Sequence, residues 1–347
     1  MRRQLNIFRY LTLAVALLIA GAAPLQAMDI TDMNGRSVTI PDASTKVFCA
    51  SPPALYLLYA LDPSLAAGLN FPFTGQETTY LRPEFLNLPV LGGWFGQGQT
   101  PNLESVMAAK PDFILAWSWR TSAINDVIEK TARTINLPVV YVRLDTMEDY
   151  AQAFEFVGRI LHREARGQAL AQATRRMVAE VDPMVAAIPR EKRVPVYYAQ
   201  GLDGLKTECD TSVHAELINL AGGRNVRSCA ARDVYGMESV GIEEVLGADP
   251  DVILAKEKAF AQTAPANPVW KQLRAVRDGR IVTIPEKPFN WFDRPPSFMR
   301  ILGLCWLTNK LYPERYPKDM IAETKAFYRL FLNVDLDDAQ AREVLEP

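Results

Sequence analysis

Few residues in this chain are equipped for covalent or acid–base chemistry. It holds two histidines, His162 and His214, too few for the His-rich shell of a catalytic zinc. None of G-x-S-x-G, H-E-x-x-H or G-x-x-x-x-G-K-[ST] occurs in it, which removes the common hydrolase, zinc-protease and phosphate-loop templates. The glycines of Gly92-Gly93-Trp94-Phe95-Gly96-Gln97-Gly98 miss the dinucleotide-binding spacing and follow no strand. We therefore expect no enzyme and no resident cofactor. His162 falls in a long helical region and reads as solvated. His214, just past the expected N-cap Ser212, reads as a surface residue, with a cleft-facing place as the alternative.

What the chain does hold is the chemistry of non-covalent capture. Phe71, Phe73, Tyr80, Trp94, Phe95, Trp117, Trp119, Trp291 and Phe292 fall in aperiodic segments or just past strand ends, where an apolar side chain needs core or a ligand to cover it. Arg82, Arg120 and Arg294 are interleaved with them. Stacking faces beside guanidinium groups suit a flat or bulky anionic solute. The expected ligand-binding set is Ser51, Tyr80, Trp94, Phe95, Trp119, Arg120, Tyr235, Trp291 and Arg294.

These residues must be positioned by something, and the chain contains a duplication that supplies it. Pro101 to Trp117 (P-N-L-E-S-V-M-A-A-K-P-D-F-I-L-A-W) aligns without gaps on Val240 to Lys256 (V-G-I-E-E-V-L-G-A-D-P-D-V-I-L-A-K), at an offset of 139 residues. Each copy reads as an amphipathic helical turn, a Pro-Asp corner and an apolar run fit for a buried parallel strand. A period this long is outside the range of about 20 to 50 residues for solenoids, so it marks two similar globular halves. Glu104 and Glu243 recur at the two helix starts, where a carboxylate serves either as a cap in the positive end of the helix dipole or as a docking point.

Around the copies we expect a hairpin over 29–40 with a two-residue Asn34-Gly35 turn, a strand over 46–50, and a helix over 54–60 capped by Ser51. Ser51 would then lie at the carboxyl end of a parallel strand, the usual ligand position of open α/β sheets. A helix over 121–135, a strand over 139–143 and a helical region over 146–188 follow, with breaks near Leu161-His162 and at Pro183. Beyond it come strands at 194–200 and 280–284, a helix over 212–220, a loop over 288–297 and helices from 298 to 332. The expected architecture is α/β: two Rossmann-like lobes joined by a long rigid helix, with a ligand cleft between them. The divisions are 1–27, 28–160, 161–189 for the connecting helix, and 190–347.

Residues 1–27 carry Arg2, Arg3 and Arg9, a short apolar stretch and a small-residue run ending at Ala27, the pattern of a cleaved secretory signal. The apolar stretch falls short of the ~20 residues that span a bilayer, and no Cys follows the cleavage point to take a lipid. Loss of three arginines and no acid moves the formal charge from -2 to -5, against a nucleic-acid partner. A soluble periplasmic monomer is expected. Cys209 and Cys229 flank one expected helix and could pair in such a compartment, while four buried thiols, with Cys49 and Cys305, is the alternative.

The chain resembles the substrate-binding proteins of ABC importers for iron chelates, cobalamin and haem. The resemblance covers nearly all of residues 28–347 and rests on D-M-N-G-R-S-V-T-I-P, N-L-E-S-V-M-A-A-K-P-D-F-I-L-A, L-A-G-G-R-N-V and G-I-E-E-V-L-G-A-D-P-D-V-I-L-A. Asn290 to Arg294 (N-W-F-D-R) is similar to a ligand-bordering loop of the family's cobalamin binder. The resemblance implies two lobes that move little on closing, a small-molecule ligand, and an ABC permease partner met by Glu104 and Glu243. It implies a metal chelate as ligand, a ferric siderophore first, with haem or cobalamin beside it. One branch binds molybdate or tungstate, for which Ser51, Thr79, Tyr80, Arg120, Tyr235 and Arg294 offer hydroxyls and guanidinium groups. Direct iron or haem ligation would fall to Tyr80, Tyr235 or His214.

Overall fold

The computed structural model describes residues 26–95, 99–118, 122–230 and 236–346. The expected site residues Trp119, Arg120 and Tyr235 lie outside them.

Strands β1 (Ala27–Thr31) and β2 (Ser37–Pro41) form the expected antiparallel hairpin, in the register Asp29 to Thr39. Its turn is longer than two residues. The Asp32 carboxylate accepts from the backbone N–H groups of Asn34 and Arg36 and from that of Tyr141, so one buried anion both shapes the turn and docks it on the first lobe. That lobe is a parallel sheet of β3 (Val47–Cys49), β4 (Phe113–Trp117) and β5 (Val139–Val142) in the order β3-β4-β5. The second lobe contains β6 (Val194–Ala199), β7 (Lys206–Thr207), β8 (Gly223–Asn225), β9 (Glu238–Ser239), β10 (Val252–Ala255) and β11 (Ile281–Thr283). Its main sheet runs β11-β10-β6-β8, all parallel, and β7 pairs with β9 apart from it.

The duplicated stretch occupies the same place in both lobes. Helix Leu103–Ala109 leads to β4 and helix Ile242–Ala248 to β10, each an inner strand of its sheet. Both helices end on a left-handed residue, Lys110 (φ 53°) and Asp249 (φ 37°), so that Pro111 and Pro250 start the return. Asp112 N–H then bonds Lys46 O and Asp251 N–H bonds Pro195 O, each beside the neighbouring strand. An all-apolar β4 and β10, buried at every position, follow from strands covered on both faces.

The two lobes meet across helix Met147–Ile160 and helix Glu164–Ala186. The break between them is the expected one, with His162 in left-handed backbone at φ 53°. His162 is thus at a corner rather than within a helix, its ring Nε2 2.8 Å from Asp42 O. The expected break at Pro183 is absent. Pro183 sits near the end of the helix, which continues to Ala186, so the proline costs a hydrogen bond only where the helix is about to stop. At about 1.5 Å per residue its 23 residues span about 35 Å. One continuous apolar core joins helix Pro52–Leu61 of the first lobe, these two helices and helix Met299–Leu311, while each sheet has a smaller core on its outer face. Among the described residues no helix is long and apolar enough to cross a membrane.

Candidate functional site

A cavity of about 500 Å³ opens between the lobes, within the size range of small-molecule sites. The first lobe contributes Tyr56, Phe71, Phe73, Gln76 and Glu77, and the second lobe contributes Lys256, Lys258, Glu286, Lys287, Phe289 and Arg294. Its aromatic wall is continuous: Phe95 packs on Phe71 (5.9 Å between ring centroids), Phe71 on Phe73 (5.2 Å), and Phe73 on Phe289 of the opposite lobe (6.0 Å). A second, smaller cavity of about 290 Å³ lies wholly on the second lobe, among Leu202, Leu205, Ile242, Phe260 and Trp270. It is smaller and lined from one lobe only, so the larger cleft is the candidate site.

The expected residues divide. Arg294 lines the cleft and Phe95 extends its wall. Trp94 is buried against Phe48, its backbone N–H bonded to Ala50 O, where Gly93 permits the approach: a Cβ there would come 2.7 Å from that carbonyl. Ser51 holds the N-cap position of helix Pro52–Leu61 just past β3 but makes no side-chain cap bond, and its buried Oγ has no hydrogen-bond partner among the described residues. Trp291 is fully buried, with its indole N–H donated to Lys287 O at 3.0 Å. Tyr80 is buried edge-on to Tyr328, and its hydroxyl meets Glu343 near the C-terminus. Neither Trp291 nor Tyr80 is among the cleft-lining residues.

His214 is not a surface residue. It is 8% exposed, and its Nδ1 lies 2.5 Å from an Asp293 carboxylate oxygen. Burial pushes the Asp293 carboxyl up, but His214, Arg294 and Arg300 together outweigh burial and hold it below the usual carboxylate range. Burial likewise opposes the Arg294 charge, and Asp293 and Glu208 outweigh it, so the guanidinium stays protonated. The cysteine question resolves to a Cys209–Cys229 disulfide with buried thiols at Cys49 and Cys305.

Sequence reasoning missed the lysines. Lys256 ends the second copy where Trp117 ends the first, so both stand at carboxyl ends of parallel strands; the duplication itself was the signal that could have found Lys256. Lys256 pairs with Glu257 at 3.0 Å and Lys287 with Glu343 at 2.6 Å. Lys258 has no carboxylate partner among the described residues. Glu104 and Glu243 are exposed and, among the described residues, unpaired. Capping falls to their neighbours: Asn102 accepts from Ser105 N–H, and Glu244 accepts from Gly241 N–H.

Two parallel-sheet lobes, a helical joint and a cleft lined from both sides define a two-lobed solute receptor. The chain belongs to the periplasmic binding protein family, which residues 57–288 match. It is similar to an ABC transporter solute binding protein from Sulfurospirillum deleyianum at 37% identity, covering 92% of this chain and 99% of that one, with a TM-score of 0.86. The molybdate-binding protein MolA of Haemophilus influenzae is 26% identical over 333 residues, 87% of this chain and 90% of its own length. A high-affinity heme uptake protein, IsdE of Staphylococcus aureus, is 24% identical over 64% of this chain and 75% of its own.

Proposed function

We propose that the protein captures an anionic metal chelate, a ferric siderophore first, in its interlobe cleft and delivers it to an ABC permease without chemistry. It acts in the periplasm, as a monomer, after removal of residues 1–27, with 28–160 and 190–347 as lobes and 161–189 as the joint. The observation that carries the ligand class is the pairing of an aromatic wall with Lys256, Lys258, Lys287 and Arg294 around about 500 Å³, far more room than a tetrahedral oxyanion needs. The lysine ion pairs are partly exposed and weak for that reason, so their ammonium groups are free to turn to an anionic guest.

The docking face is built from the duplicated helix starts. Glu104 and Glu243 present unpaired carboxylates for basic groups of the permease. Val90 and Met107 stand exposed beside the first, while Leu202, 76% exposed, and Val269 border the small hollow beside the second.

A second reading is molybdate or tungstate. Ser51, with a buried Oγ that has no partner among the described residues, at a helix start, favours it, as does the likeness to MolA. Titrating the purified protein with ferric siderophores, haem, cobalamin, molybdate and tungstate, followed by tryptophan fluorescence, decides between them. Saturable binding of the oxyanions alone would overturn the chelate reading.

A further inference from the structure

Arg294 reaches the cleft from a carboxylate that no ligand can touch. Glu208, directly after β7, is 0% exposed. One of its oxygens accepts from Gln200 Nε2 (3.0 Å), Met237 N–H (2.9 Å) and Arg294 Nη2, and the other accepts from Ser212 Oγ (2.9 Å). Gln200 completes the clamp, its Oε1 accepting from Arg294 Nε at 2.9 Å. Gly236 closes over it: a Cβ there would lie 2.0 Å from the Glu208 carboxylate. The adjacent Cys209 is tied to Cys229, and the Glu208 carbonyl accepts from Asn225 Nδ2. Side chains or backbone at residues 200, 212, 237 and 294 thus converge on one buried anion.

A buried carboxylate is costly unless its partners satisfy it, and here the charged partner is the cleft's arginine. The contrast with the lysine pairs lies on the acid side: Glu208 is fully buried, whereas Glu257 and Glu343 are 25% and 55% exposed, so solvent screens the lysine pairs more. Arg294 then meets a ligand as a fixed donor whose charge is already balanced. The lysines supply the charge.

We propose that Glu208 is the positioning residue of Arg294, setting ligand affinity through that guanidinium without contacting the ligand. The inference rests on the cleft being the ligand site. Its test is a double-variant cycle with Glu208→Gln and Arg294→Gln, read by titration with a ferric catecholate siderophore and with sodium molybdate, folding being checked by circular dichroism. Glu208→Gln is expected to weaken binding about tenfold in the parent and to change nothing further in the Arg294→Gln background, the signature of residues acting as one unit. Equal losses in both backgrounds, or no loss in the parent, overturn it. Glu208→Asp, which keeps the charge one methylene further back, should fall between, and it takes the place of the glutamine variant if that does not fold.

A ligand-free reading separates this proposal from the receptor assignment. Hydrogen exchange at the Arg294 Nε–H is expected to accelerate at least tenfold in Glu208→Gln, whichever probe the cleft accepts. Unchanged exchange overturns the positioning role. Accelerated exchange in a protein that binds neither probe retains it and overturns the ligand assignment instead.

Discussion

Tyr56 and Phe289 stack with ring centroids 3.8 Å apart and planes 22° from parallel. Tyr56 belongs to the first helix of the first lobe, and Phe289 to the cleft loop of the second. Phe289 also meets Tyr59, Phe73 and Phe298 at about 6 Å. The lobes are therefore joined by packed rings as well as by the helix Glu164–Ala186, inside the one core that spans both. A hinge that opened widely would have to break this stack.

Phe289→Ala should accordingly destabilise the protein by about 3–5 kcal/mol, the usual cost of removing a buried phenylalanine. Urea denaturation measures it. In the parent protein, small-angle scattering should show almost no change in radius of gyration on ligand addition. A large closure would contradict the joined core.

Arg294 and Trp291, three residues apart, should separate affinity from stability. Arg294→Ala is expected to weaken ligand binding by more than tenfold, equivalent to about 1.4 kcal/mol, because the guanidinium lines the cleft. Trp291→Ala is expected to cost about 3–5 kcal/mol of stability, since the indole is fully buried. Calorimetric titration beside thermal denaturation distinguishes the two. A loss of affinity in Trp291→Ala with unchanged stability would place the indole at the ligand instead.

How legible the molecule was from its sequence depends on the kind of signal. The duplicated stretch located the inner strands β4 and β10, because apolar runs and Pro-Asp corners are local. The aromatic loops were identifiable as loops, but their sides were not. Phe71 and Phe73 line the cleft while Trp291 and Tyr80 are buried away from it, a difference set by which surface each loop packs on. Glu208 was invisible for a related reason. Its partners come from residues 200, 212, 237 and 294, and only the folded chain brings them together.

The docking role proposed for Glu104 and Glu243 should be separable from ligand capture. The double variant Glu104→Gln, Glu243→Gln should lower solute uptake in cells at least tenfold while ligand affinity and stability hold, because both side chains are exposed and their helices are capped by other residues. Uptake at the parent rate would remove these residues from the docking face.

Asp293 should give the stability of the protein an acid-side edge. Its folded carboxyl is held below the usual range despite burial, by His214, Arg294 and Arg300. A depressed folded value means that the unfolded chain binds the proton more tightly, so stability rises with pH across the window between the two values. The contribution is therefore complete above the unfolded value of about 4 and is lost as pH falls through the folded one. Asp293→Asn removes the titrating group, so its stability should fall less steeply than the parent's as pH drops below about 4, although its absolute stability near neutrality should be lower because His214 loses its anionic partner 2.5 Å away. Urea denaturation of both proteins across that range measures the two slopes. Equal slopes would mean that Asp293 keeps its proton affinity on folding, and that the buried pair contributes no pH dependence.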